Sequence, residues 1–262
     1  MLSLDLSGKT ALIAGSTQGI GLAAAHSLAS LGARCILIAR NEEKLKAAVA
    51  GLPAGAGQTH SYALADFSKP DEVAAAAQKL TEKETIHILI NNSGGPAGGP
   101  IVSATPAAFL SALQQHLICN QILATTLLPG MKAAGYGRII NIISTSVKVP
   151  LKGLGVSNTT RGAVASWAKT WSMEVAAFGI TVNNVLPGAT ATGRLESIIE
   201  NKSSKTGLDK EAVSEEMLAE IPAGRFGQPE EIAAVIAFLA TPAAAYVNGT
   251  SIPVDGGRTG AI

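Results

Sequence analysis

The stretch that most constrains this chain is Thr10-Ala11-Leu12-Ile13-Ala14-Gly15-Ser16-Thr17-Gln18-Gly19-Ile20-Gly21. Ala11 to Ala14 is an apolar run of strand length. It breaks into a Gly-x3-Gly-x-Gly turn, after which Ile20, Ala24, Leu28 and Leu31 recur at helical spacing. Glycines permit a tight turn and close approach by another backbone, and the first turn of a helix presents unpaired N–H groups. Strand, glycine turn and helix in that order make a site for an anion such as a phosphate. The same glycines can also join two buried elements with nothing bound.

At 47% hydrophobic and 15% charged residues, the 262-residue chain has ample apolar side chain for a continuous core. The formal net charge is +1 and there is no basic stripe, which argues against a nucleic-acid partner. No apolar run reaches membrane-spanning length, and no basic-then-apolar leader opens the chain, so no membrane association and a cytoplasmic location are expected. Cys35 and Cys119 read as two reduced, packed thiols. No His, Cys and carboxylate cluster has metal-ligand spacing, so no metal is expected.

Strand and helix patterns alternate from end to end, which predicts a parallel sheet covered on both faces. Strands are expected at 11–14, 35–39, 61–65, 86–90, 138–143, 181–186 and 251–254. Helices are expected from the glycine turn to about Gly32, following Arg40-Asn41-Glu42-Glu43-Lys44, over 70–83, 106–133 and 157–178, and over 229–239. Residues 53–57 read as a surface loop. Residues 189–222 break the rhythm: they are polar, with a helical pattern near Glu211 to Glu220, and read as a flap over the C-terminal edge of the sheet. With no repeat or linker, 1–262 reads as one domain.

Several blocks stand in the order found in the short-chain dehydrogenases/reductases, which the chain resembles over essentially its whole length. They are Gly15-x3-Gly19-Ile20-Gly21, Asp66, Asn91-Asn92-Ser93-Gly94, Pro187-Gly188 with Thr192, Gly224 to Glu231, and Val254-Asp255-Gly256-Gly257. Ala14 and Ser93 stand where Thr and Ala are usual, small residues for small ones. The resemblance implies a single-domain Rossmann-like α/β fold, a doubly wound sheet of seven parallel strands with helices on both faces. It also implies a nicotinamide cofactor, a small-molecule substrate and a homo-oligomer, tetramer or dimer.

Carried onto this sequence, the resemblance places the pyrophosphate over Gly15, Ser16, Thr17, Gln18, Gly19, Ile20 and Gly21, and the adenine by Asp66 and Phe67. Asn92, Ser93 and Gly94 fall beneath the nicotinamide ribose, and Pro187, Gly188 and Thr192 by the carboxamide. Asp66 can instead cap the following helix, and Thr192 can cap the flap. NAD enzymes carry a carboxylate at the end of the second strand. Here Ala39 is followed by Arg40, whose planar fork suits a 2′-phosphate, so NADP(H) is preferred to NAD(H). The alternative is a solvated arginine, since Ser16, Thr17 and Gln18 add no second basic residue.

The family's chemistry uses a Tyr, a Lys four residues on, a Ser thirteen residues before the Tyr and an Asn on the preceding long helix. Ser144 fits the Ser position; the same spacings put Ser157 at the Tyr, Arg161 at the Lys and His116 at the Asn. A serine hydroxyl is a far weaker acid than a phenol, and arginine stays protonated. Ser144, Ser157 and Arg161 can donate hydrogen bonds to a carbonyl or carboxylate. His116, of a residue type that titrates near ~6.5, can move a proton. Equally, His116 can be a helix histidine satisfied by a backbone carbonyl, and Arg161 can hold the nicotinamide ribose. Cys119 reads as packing. Two functions fit: an NADP(H)-dependent oxidoreductase for a carbonyl or secondary alcohol with an atypical active site, or a non-redox lyase, isomerase or silent cofactor-binding protein on the same fold. The complete cofactor blocks favour the first.

Overall fold

Side chains along a strand alternate between the faces of a sheet, and the first strand, β1 (Thr10–Ala14), sorts its neighbours accordingly. In the computed structural model, which describes residues 2–55 and 57–261, Ala11 and Ile13 face one core and Leu12 and Ala14 the other. The chain continues through α1 (Gly19–Ser30), β2 (Arg34–Ala39), α2 (Glu42–Ala50), β3 (Ser61–Leu64), α3 (Pro70–Thr81) and β4 (Ile88–Asn91). It then runs through α4 (Pro106–Leu113), α5 (Cys119–Ala134), β5 (Gly137–Ile142), α6 (Gly155–Val175) and β6 (Ile180–Pro187). Last come α7 (Gly193–Thr206), α8 (Lys210–Ala219), α9 (Pro229–Ala240) and β7 (Ser251–Val254). Helices α1, α2 and α9 cover the first core, and α3, α5 and α6 the second.

All strands pair in parallel, in the order β3-β2-β1-β4-β5-β6-β7. This is the expected doubly wound sheet. The chain winds outward from β1 to β3, then returns to β4 and winds the other way. The switch falls between β1 and β4, and ligands of such sheets bind at the C-terminal ends of the strands there. Local chemistry agrees with the long-range plan. Pro70 opens α3 with Asp71 and Glu72 in its first turn, and at the start of α9 the Glu231 carboxylate accepts from the Gln228 N–H at 2.7 Å.

Two segments differ from the sequence expectation. The region 189–222 holds two helices rather than one. Among the residues of α7, GRLESIIENKSSKT, only Leu195 is buried, so its apolar period is too thin to announce a helix. The helical run 106–133 is not uniform either: a π turn spans Gln114–Ile118, between α4 and α5. Such a turn inserts one residue into the helix and needs no Pro or Gly to mark it. Its central residue is His116. Ala56 of the expected 53–57 loop, and Met1 and Ile262 at the ends of the expected domain, lie outside the described residues. Among the described residues no helix is long and apolar enough to cross a membrane.

Candidate active site

The loops after β1 and β4 are fastened to each other. Asn92 Nδ2 donates to the Gly15 carbonyl at 3.0 Å. A Cβ on Gly15 would lie 2.5 Å from the Asn92 carbonyl oxygen, and one on Gly21 2.7 Å from Asn92 Nδ2 and against the Gly15 carbonyl. The glycines are therefore demanded by backbone approach at the switch point. Gly21→Ala is expected to cost about 1–3 kcal/mol by overpacking. A lowered melting temperature together with weakened nicotinamide-nucleotide binding checks it. The start of α1 is open: Gln18, at its N-cap, makes no side-chain cap. Ser16 beside it is fully buried, and its Oγ has no partner among the described residues. Thr17, Gly19 and Ile20 are half-buried and Gln18 is exposed. An orphaned buried hydroxyl, uncapped helix N–H groups and glycines at the points of closest backbone approach fit a pyrophosphate.

Asp66 follows β3 and accepts from the Ser68 N–H at 2.9 Å. That hydrogen bond, with the Ser68 hydroxyl, holds its carboxyl below the usual range. Lys69, not Asp66, occupies the N-cap of α3, so the capping alternative is removed. Arg40 is exposed at the end of β2 and enters none of the ion pairs among the described residues, although its charge reaches Asp66. The half-buried Phe67 offers its carbonyl to Cys119 Sγ at 3.3 Å. Burial pushes that thiol up to about 11, so Cys119 is packing.

On the opposite rim, Pro187 ends β6, and the Gly188 N–H donates to the Val254 carbonyl at 3.0 Å. Thr192 makes no cap for α7; its Oγ1 donates to the Thr190 carbonyl at 3.2 Å. Its methyl group would stand 3.3 Å from a Cβ on Gly19, so Thr192 faces the glycine loop directly. Asn91 ties β4 to β5, its Nδ2 donating to Asn141 Oδ1 at 2.9 Å.

The expected catalytic residues come from three elements. Ser144 follows β5, and its Oγ accepts from the Ser146 N–H at 3.1 Å, leaving its own proton free to donate. Ser157, in the first turn of α6, is half-buried and makes no side-chain hydrogen bond among the described residues. Arg161 lies one turn further on the same helix face, 8% exposed, and its Nη1 donates to the Ile142 carbonyl at 3.1 Å. Burial foremost, with Arg194 adding to it, pushes Arg161 down to about 10, so it stays charged at neutral pH.

His116 is 2% exposed, and its Nδ1 lies 2.5 Å from Ser93 Oγ. Burial, then the charges of Arg161 and Arg194, push it down to about 3. Its imidazole is therefore neutral, unlike a histidine of ordinary titration range. This has a sign in stability. The folded pKa lies below the unfolded value of ~6.5, so the unfolded chain binds the extra proton and stability falls as pH drops from about 6.5 towards 3. A His116→Asn variant is expected to lose stability less steeply over that window, as read from melting temperatures at stepped pH.

Two partners of this constellation were not legible as such. Ser93 reads as a small residue replacing a small one, yet its hydroxyl meets His116. Arg194 sits among flap charges of mixed sign; in the fold its Nη2 donates to the Pro96 carbonyl at 2.7 Å. The loop after β4, the π turn, α6 and α7 thus converge on one crevice.

A family model described as Enoyl-(Acyl carrier protein) reductase matches residues 14–259. The chain belongs to the short-chain dehydrogenase/reductase family. It is 32% identical to a tropinone reductase homologue of Arabidopsis thaliana, over 97% of this chain and 94% of the relative. It is 31% identical to the 3-oxoacyl-[acyl-carrier-protein] reductase FabG of Vibrio cholerae, over 97% of this chain and 98% of that one. The L-sorbose reductase of Gluconobacter frateurii, solved with NADPH and L-sorbose, superposes with a TM-score of 0.92 at 30% identity, covering 99% of this chain and 100% of its own. This short-chain dehydrogenase/reductase is accordingly an enzyme of oxidoreductase type with a nicotinamide cofactor, for which the Gly15–Gly21 cradle and Asp66 are suited.

Proposed function

We propose that the protein is an NADP(H)-dependent oxidoreductase that interconverts a carbonyl and a secondary alcohol without a Tyr–Lys pair. One observation carries the departure from the family's chemistry: all three tyrosines are engaged or placed elsewhere. Tyr62 bonds Glu42 beside β3, Tyr136 bonds the Ala240 carbonyl, and Tyr246 is fully exposed after α9. The crevice instead offers Ser144, Ser157, Arg161 and the Ser93–His116 pair.

A bound nicotinamide supplies or accepts the hydride. Gly15 to Gly21 and the first turn of α1 hold the pyrophosphate, Asp66 and Phe67 line the adenine, and Asn92, Ser93, Gly94, Pro187, Gly188 and Thr192 flank the nicotinamide half. Arg161, fixed by the Ile142 carbonyl, keeps further N–H groups for the ribose or the substrate. The Ser144 and Ser157 hydroxyls donate to the substrate oxygen and stabilise negative charge on it. The proton passes through Ser93 and His116. With Nδ1 unprotonated, the imidazole accepts the Ser93 hydroxyl proton in the alcohol-oxidising direction while its Nε2 proton leaves to water, and carbonyl reduction runs the same transfers in reverse, so no lasting cation forms beside two arginines.

The 2′-phosphate falls to Arg40. Arg40→Glu is expected to weaken NADPH binding by about tenfold or more and to favour NADH, because the new carboxylate suits ribose hydroxyls and repels a phosphate. Fluorescence titration with both nucleotides checks it; an unchanged ratio would make Arg40 a solvated surface residue. Residues 1–262 act as one domain in this reading, with 189–222 as a flap that reaches the site through Arg194. The free, buried Cys35 and Cys119 suit a reducing cytoplasm. Exposed Met173, Phe178, Phe238 and Tyr246 suit a homo-oligomer, dimer or tetramer.

A further inference from the structure

We propose that the substrate is an organic acid whose carboxylate is held between Arg161 of α6 and Arg194 of α7, over Gly95. The inference rests on the oxidoreductase reading for what happens to the rest of the molecule, and names the substrate class of that same site. Its first support is convergence. A Cβ on Gly95 would lie 3.4 Å from Arg194 Nη2 and 3.7 Å from Arg161 Nη2, so two guanidinium tips close on one point of the loop after β4.

The second support is missing compensation. Neither arginine enters an ion pair among the described residues. Among the described residues each hydrogen-bonds one backbone carbonyl, Ile142 for Arg161 and Pro96 for Arg194. No carboxylate is among the groups that act on Arg161 or on His116: Arg161 meets the charge of Arg194, and the neutral His116 meets the charges of both arginines. A buried cation without a counter-charge is costly, and removing it from water is repaid only by a well-placed anion. The planar forks of two arginines match a carboxylate, which each can bind by paired N–H bonds.

The third support is position. Thr192 faces the glycine loop, whereas Arg194 turns to Pro96 and Arg161 lies one turn beyond Ser157. The arginines therefore flank the reacting end of the crevice rather than the pyrophosphate cradle. A carboxylate between them would also lower the positive potential that keeps a proton off His116, so binding and proton handling would support each other.

The test is calorimetric titration of the NADP-saturated protein with malonate, and with malonamide as its neutral counterpart. Malonate is expected to bind and malonamide not. Arg194→Gln, on the exposed side, is expected to weaken malonate by about tenfold or more while leaving NADPH affinity near that of the unaltered protein. Arg161→Lys, which keeps the charge and loses the fork, is expected to weaken malonate as well. Absent malonate binding, equal binding of malonamide, or indifference to Arg194→Gln would overturn the proposal. So would an equal loss of NADPH affinity in Arg194→Gln, which would assign the arginines to the cofactor's phosphates. If the protein takes no nicotinamide nucleotide, the titration is run on the protein alone. Malonate binding without any carbonyl turnover keeps the anion site and removes the oxidoreductase reading; turnover of neutral ketones without malonate binding does the reverse.

Discussion

His116→Ala is expected to lower kcat by about 100-fold or more, the usual contribution of a positioned proton-transfer group, while NADPH affinity changes little. His116 lies in the π turn, 2% exposed, with Ser93 Oγ 2.5 Å from its Nδ1. Among the described residues its side chain hydrogen-bonds Ser93 and no group of the glycine loop, so the pyrophosphate cradle should survive the change. Truncation leaves the Ser93 hydroxyl without its partner and opens a cavity, and some loss of stability follows. His116→Asn separates the two effects: it can still meet Ser93 but cannot carry a proton, so it should fold normally and remain inactive. Because the imidazole is pushed down to about 3, the kcat of the unaltered enzyme should not show a His titration near ~6.5. Full activity in His116→Asn would make His116 a structural helix residue.

Arg161→Met carries the second large effect, and its two readouts should move in opposite directions. Loss of a charge-assisted donor at the reacting end is expected to reduce kcat/KM by about 100-fold, on the scale of a lost oxyanion-type donor. Stability should hold or rise. Arg161 is 8% exposed, bonded to the Ile142 carbonyl and repelled by Arg194, without a carboxylate partner. Replacing such a buried charge by an apolar side chain of similar length is often neutral or stabilising. It also removes one positive neighbour of His116, which raises the imidazole's pKa from about 3. A variant that melts higher and works far worse would mark Arg161 as a functional charge kept at a cost in stability. A variant that unfolds would mark it as a strut for the end of β5.

Much of this was legible in the residues because it depends on local pattern. The Ala11–Ala14 run, the glycine turn and the helical period after Ile20 fixed the core of the sheet, since buried parallel strands read as short apolar runs wherever they occur. Asn92 and Asp66 stand out by their position at strand ends, and the structure adds that Asn92 bonds the Gly15 carbonyl and that Asp66 does not cap α3. What could not be read depends on contacts across the fold. Helix α7 buries little beyond Leu195, so no periodicity announces it. The π turn at Gln114–Ile118 carries no Pro or Gly. Ser93 gained meaning only once the loop after β4 met His116, and Arg194 only once α7 met Pro96. Side chains that act through a partner distant in sequence leave no local signature.

The most direct test of the central claim is a titration of the pure protein with NADPH and with NADH, following the fluorescence of the bound nicotinamide. The account predicts saturable NADPH binding, tighter than NADH by about tenfold or more, with Arg40 and the Gly15–Gly21 cradle engaged. Failure to bind either nucleotide would contradict it and leave a non-redox protein on this fold.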